Sequence, residues 1–430
     1  MKTVIPFLRL NNFFTKKIIF AATITALLFT ISSCHKFHDQ IIGETVYVES
    51  NDYHDNQNSI LAYRHDAQGK LQQIPGSPFY TNGAGVSNPT EKLGPDDVET
   101  PVIIYKNKYL LTVNGGSNTI AVFEINLDGT LQPVSGSPFQ SGGSTPSSLA
   151  VSENYLYVVN KSDDPLHPSK FSPNYTAFTI EENGTLKPVA NSTFETVFGS
   201  SPSQVLVSND RKFVFGDDWL SFMLTPPQGT LRSFTQNNGI LTSVAGSPYT
   251  IPVMGGALGL WQHPNANVLY VGFPLTGQLS VYTIDGTSGA LSYQSSVPGG
   301  LATCWIRVTK DGNYLYALNS AENTISIYNS SNPLSLVFIN KFTLKDPGPL
   351  YASPTPGVQF TTSEDFHLAF SKDEKFLYVV CQSTNADFSA GSYNFIHTLP
   401  IANDGNLSEP VDPTKLPLPA DIRPQGVAVF

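Results

Sequence analysis

The chain has 430 residues, of which 40% are hydrophobic and 11% aromatic, with 33 Gly and 32 Pro spread along its length. That mixture excludes a disordered or long-helical protein and points to many short strands joined by turns. The formal net charge of −10 excludes a nucleic-acid partner, which needs a positive field to displace counterions from phosphates.

The leader comes first. Four basic residues (Lys2, Arg9, Lys16, Lys17) and no acidic ones precede an apolar run from Ile18 to Ile31. The run is shorter than the about 20 residues that span a bilayer and has the length of a signal-peptide core. It closes on Ile31-Ser32-Ser33-Cys34, which resembles the lipobox of bacterial lipoproteins. The resemblance implies a signal peptide over 1–33, lipidation of Cys34 and a tether over 34–44. It makes the membrane a partner through Cys34, since acyl chains contribute about 0.8 kcal/mol per buried CH₂. His35 follows the cysteine where retention at the inner membrane would call for Asp, so the outer membrane is the expected destination. An uncleaved anchor helix and an ordinary secretory signal are the alternatives. Without the four basic residues of the leader, 20 basic face 34 acidic side chains. Two cysteines remain, Cys304 and Cys381, either paired or as separate buried thiols.

From Val46 onward one strand-like segment returns seven times, as in Val46-Tyr47-Val48, Leu156-Tyr157-Val158-Val159-Asn160 and Leu315-Tyr316-Ala317-Leu318-Asn319. The units start at 50, 114, 160, 217, 273, 319 and 381, at intervals of 64, 46, 57, 56, 46 and 62. Upstream of the later units lies a short apolar strand such as Ser148-Leu149-Ala150-Val151. Downstream comes an alternating strand such as Thr324-Ile325-Ser326-Ile327-Tyr328, whose period of two marks faces in different environments. Asp128-Gly129, Asn183-Gly184, Asn238-Gly239 and Asp404-Gly405 then supply hairpin turns into a fourth strand. The sixth unit has Asn332-Pro333 in place of that turn. The first unit lacks its innermost strand, and Gln425-Gly426-Val427-Ala428-Val429-Phe430 reads as an innermost strand with nothing after it. These observations predict an all-β, seven-bladed β-propeller over 45–430, closed by the C-terminal strand completing blade one, and a monomer.

The repeat resembles the blade of YVTN and lactonase-type propellers. The stretch Ile306-Arg307-Val308-Thr309-Lys310-Asp311-Gly312-Asn313-Tyr314-Leu315-Tyr316-Ala317-Leu318-Asn319 is similar to the blade signature of the 6-phosphogluconolactonase and carboxy-muconate cyclase group. That likeness implies a site at the channel mouth built from His, Glu and Arg, and lactone hydrolysis. This chain has Trp305 where the Glu is expected and Ser320 where the Arg is. Ser147 and Phe366 hold the His positions, with His367 one place off.

Polar residues on loops entering the innermost strands form the default site. Glu364, Asp365 and His367 offer two carboxylates beside an imidazole, an acid and a base if their pKa values separate, or else a solvated loop. Arg307 offers a bidentate clamp for a carboxylate or phosphate, or else a scaffold ion pair. Trp219, Trp261 and Trp305 offer aromatic platforms for a ligand, or else packing between blades. Asp217 and Asp218 lack the six to eight oxygens a calcium site needs and read as surface acids. His263-Pro264 reads as structural. No metal site and no cofactor is expected, because no P-loop, dinucleotide fold or zinc signature occurs. The expected function is a lipid-anchored envelope propeller binding a small-molecule or envelope ligand, with a lactonase of rearranged site as the alternative.

Overall fold

Strands that are apolar on both faces must be covered on both sides, and in this chain neighbouring blades cover them. The computed structural model describes Met1 and residues 44–430 apart from 67, 90, 91, 254, 353–358, 386, 388 and 392. Cys34, the signal peptide and most of the tether lie outside the described residues. Seven antiparallel sheets form the blades of a β-propeller. Their innermost strands are Gln425–Val429, Val102–Tyr105, Pro146–Ser152, Pro202–Val207, Leu260–Gln262, Thr303–Val308 and Ser363–Phe370 in blades one to seven.

The ring closes as expected. Val46, Tyr47 and Val48 of blade one pair with Val429, Ala428 and Val427. Two backbone hydrogen bonds of 2.8 Å between Thr45 and Phe430 extend the ladder to the last residue. A closed ring leaves no inner edge to template aggregation.

The core lies between blades. Six of the seven apolar clusters join two neighbours, for example Tyr109, Leu111 and Val122 of blade two with Leu149, Leu156 and Phe178 of blade three, and the seventh joins blades six and seven with Trp219 and Leu258. The second strand Tyr314–Asn319 is therefore buried almost throughout, while the outer strand Val337–Thr343 is mostly exposed.

The recurring Tyr and Gly turn belong to one device. The Tyr47 hydroxyl donates to the Gly129 carbonyl of the next blade at 2.8 Å, and Tyr316 donates to Gly405 at 2.8 Å. A Cβ on Gly405, whose φ is +81°, would stand 2.3 Å from the Tyr314 ring. Glycine is required there by both the backbone and the neighbour. Blade six lacks the Gly turn yet keeps the staple, because the Tyr270 hydroxyl reaches the Pro333 carbonyl at 2.9 Å.

The long intervals become two insertions. A connection from Thr81 to Pro101 precedes blade two, and the hairpin Leu350–Ala352 with Gln359–Thr361 precedes blade seven. Cys304 and Cys381 are separate buried thiols. No helix among the described residues is long and apolar enough to cross a membrane.

Candidate functional site: the closed channel mouth

The innermost strands begin at one end of the channel, and five of them break register just after they start. The breaks fall between Gln425 and Val427, Pro146 and Ser148, Pro202 and Val205, Cys304 and Ile306, and Asp365 and His367. A bulge adds one unpaired residue and re-aims its side chain. The residues so displaced include Ser147, Trp305 and Phe366, the positions at which the lactonase resemblance implies His, Glu and His. Trp305 sits in the left-handed region at φ +36°. Its ring packs against Phe366 at 4.3 Å between centroids, tilted by 39°, and the two are 1% and 3% exposed. An apolar pair therefore fills two positions where that resemblance implies polar side chains.

Over that pair lies a strap, residues 94–99 of the connection into blade two. The Trp305 indole donates to the Val98 carbonyl at 2.8 Å, and the Trp219 indole donates to the Asp97 carboxylate at 3.0 Å. Lys161, at the end of the second strand of blade three, donates to the Asp97 carbonyl at 2.7 Å and to the Gly94 carbonyl. Asp96 receives the Gln425 amide at 3.1 Å, with the Arg423 guanidinium at 3.6 Å. The Glu99 amide donates to the Ser203 carbonyl at 3.1 Å. A Cβ at Gly94 would lie 1.9 Å from Asp163, so the strap enters where only glycine fits. Blades one, three, four and six all hold it. The strap covers Trp305 and Phe366, both of which are buried.

The structure divides the predicted acid–base group. Glu364 is buried, and burial first, then the charges of Asp97 and Asp96 of the strap, push its carboxyl up to about 8. Asp365 is fully buried, and burial, against the opposing pull of backbone amides including that of Asn319, holds its pKa well above the usual range. His367 packs edge-on against Trp305 at 5.5 Å. Burial, helped by the Arg307 charge, lowers its pKa to about 3. Arg307 is half-buried with its guanidinium 4.1 Å over the Trp261 ring. Burial lowers its pKa to about 10 against the opposing pull of Glu99.

Of the three tryptophans, Trp219 and Trp305 anchor the strap and Trp261 supports Arg307. Asp217 and Asp218 are not surface acids, and their burial corrects that reading. Asp218 pairs with Arg232 at 2.7 Å through Nε and at 2.5 Å through Nη2, while Asp217 accepts the Ser203 and Gln204 amides at 2.9 and 2.8 Å. Both are fully buried because these donors replace water. His263 is structural, its ring nitrogen 3.1 Å from the Gly312 carbonyl. No group of metal-ligating side chains occurs among the described residues.

Sequence reasoning missed Glu99, Asp96, Asp97 and Lys161. Glu99 is fully buried and faces Arg307, Asp217 and the Trp305 amide, and burial raises its pKa well above the usual range. The signal available was the longest interval, 64 residues, with Gly94-Pro95-Asp96-Asp97 inside it. Chemically the mouth holds carboxyls that keep their protons near neutrality and an imidazole that does not take one. A base of pKa about 3 drives proton abstraction weakly at pH 7.

No protein-family model matches the chain, and no curated protein sequence does. Solved structures do. A periplasmic gluconolactonase of Pseudomonas aeruginosa is 18% identical, superposes with a TM-score of 0.61 and aligns over 89% of this chain and 99% of its own. Candidate 6-phosphogluconolactonases of Bacteroides fragilis and Bacteroides uniformis are 17% and 15% identical, with TM-scores of 0.60 and 0.59. The alignments cover 90% and 89% of this chain and 99% of each of theirs. At such identities the likeness is one of fold, and in fold the chain is a seven-bladed propeller of the 6-phosphogluconolactonase-like kind.

Proposed function

We propose that the chain is a ligand-binding or interaction module of the bacterial cell envelope, anchored in the outer membrane through lipidated Cys34 and working as a monomer. Lactone hydrolysis is not retained at its channel mouth. The observation that carries this reading is the buried packing of Trp305 against Phe366 beneath the strap, at the positions where the related propellers are expected to present catalytic side chains. The depressed pKa of His367 supports it. The envelope location draws on the Ser33-Cys34 junction and on the periplasmic setting of the Pseudomonas neighbour.

A lactonase with a rearranged site is the second reading. It is favoured by the neighbours named for that activity and by the meeting of Arg307, Glu99 and His367 within one charge field. Proton release from a panel of sugar and aliphatic lactones separates the two. The first reading expects no rate above the uncatalysed one, and identical traces for Arg307→Ala and His367→Ala. Turnover that vanishes in either variant would establish the second.

A further inference from the structure

Blade seven carries an insertion that the other blades lack, and the insertion makes a cleft. Between the hairpin at Leu350 and the loops following the second strand of blade seven lies a cavity of about 590 Å³, a size suited to a small molecule. It lies at the start of blade seven's innermost strand, Ser363–Phe370. Thr362 and Ser363 wall the cleft, and the buried Glu364 follows at the next position.

The walls combine two kinds of surface. Leu350 and Tyr393 are large, apolar and left 56% and 58% exposed, with Phe395 half-buried beside them. Lys415 props the Tyr393 ring with its ammonium 4.4 Å from the centroid. Around this apolar floor stand a carboxylate, Asp346, and an amide, Asn385. The Asn385 NH₂ is spent on Ser389 at 2.9 Å and Ala390 at 3.0 Å, which fixes the group and leaves its carbonyl oxygen as an acceptor. The Thr384 hydroxyl completes the polar side.

Charge narrows the occupant. None of the described lining residues is Lys, Arg or His. The nearby Lys345 ammonium is committed to Asp412 at 2.9 Å. The Lys415 ammonium lies over the Tyr393 ring and is not among the lining residues, so Asp346, the charged lining group, disfavours a phosphorylated or carboxylated ligand. A neutral ring with an apolar face and hydroxyl edges meets an aromatic floor and acceptors for its hydroxyls.

We propose that the blade-seven cleft binds a neutral sugar, its ring laid on Tyr393 and its hydroxyls held by Asp346 and Asn385. The proposal rests on the binding-module reading and gives that reading a ligand class and a place. Isothermal titration of the full chain, in a detergent without sugar head groups, tests it with D-glucose, D-galactose, N-acetyl-D-glucosamine and maltose, and with 6-phosphogluconate as the charged control. The expected result is saturable binding of at least one neutral sugar and none of 6-phosphogluconate. Affinity should fall about tenfold or more in Tyr393→Ala and in Asp346→Asn, the loss of one stacking or hydrogen-bonding contact. Both side chains are exposed, so neither substitution threatens the fold. No saturation by any neutral sugar at millimolar concentration, or preference for 6-phosphogluconate, overturns the proposal. Binding that survives both variants and disappears in Arg307→Ala also overturns it. In that case the ligand sits in the channel and the binding-module reading stands.

Discussion

Trp305→Ala is expected to destabilise the protein by about 4 kcal/mol, the usual range for truncating a fully buried Trp. Three losses combine in that number. The ring leaves a cavity against Phe366 and His367, the Val98 carbonyl loses its donor, and the strap loses its anchor on blade six. Denaturant unfolding of the two proteins measures it. A change below about 1 kcal/mol, the size of a surface substitution, would mean that the pair is not packed as described. Trp305→Phe separates packing from hydrogen bonding, since it keeps a ring and removes the indole N–H. It should recover more than half of the loss.

The second large effect is on pH. Asp96 and Glu364 are each pushed up to about 8, burial being the first cause in both and the neighbouring carboxylates a further one. Their ordinary values are 3.8 and 4.5. A carboxyl whose pKa is raised by folding binds more protons folded than unfolded, so its contribution is full below the unfolded value. The contribution is lost as pH rises through the folded one. The protein should therefore weaken between about pH 5 and pH 8.5. His367 acts in the opposite sense, contributing above its ordinary value of 6.5 and losing it as pH falls towards 3. The clean readout is the comparison with Glu364→Gln, which keeps shape and removes the titration. The variant and the parent should match near pH 5. By pH 8.5 the variant should be the more stable by on the order of 3 kcal/mol. Parallel profiles would show that Glu364 does not change ionisation there.

The propeller was legible because its signals are periodic. The Tyr-bearing second strand, the Gly turn and the unpaired C-terminal strand each recur or complement each other, and the observed pairing of Val46 with Val429 follows from that pattern. The mouth was not legible, for two physical reasons. The first is that β-bulges shift facing by one residue without a sequence mark. His367 read as facing away from Phe366, yet the break between Asp365 and His367 brings it against Trp305. The second is that Gly94-Pro95-Asp96-Asp97 has the composition of a solvated loop. It is buried because Lys161, Trp219 and Gln425, each from a different blade, supply donors that water would otherwise provide. Asp217 and Asp218 misled in the same way, since Arg232 and two backbone amides are far from them in the chain or hidden at a bulge. Burial of a polar group depends on partners that local sequence does not display.

The claim on which the functional reading depends is that the strap covers Trp305 and Phe366 at the channel mouth. Hydrogen–deuterium exchange of the full chain, read on peptides covering residues 94–101, addresses it directly. That cover predicts protection of the Glu99 amide, which donates to Ser203 at 3.1 Å under a buried segment, comparable to that of the innermost strands. Exchange of this peptide as fast as that of exposed turns such as 286–288 would contradict the account, leaving Arg307, Glu99 and His367 open to a substrate.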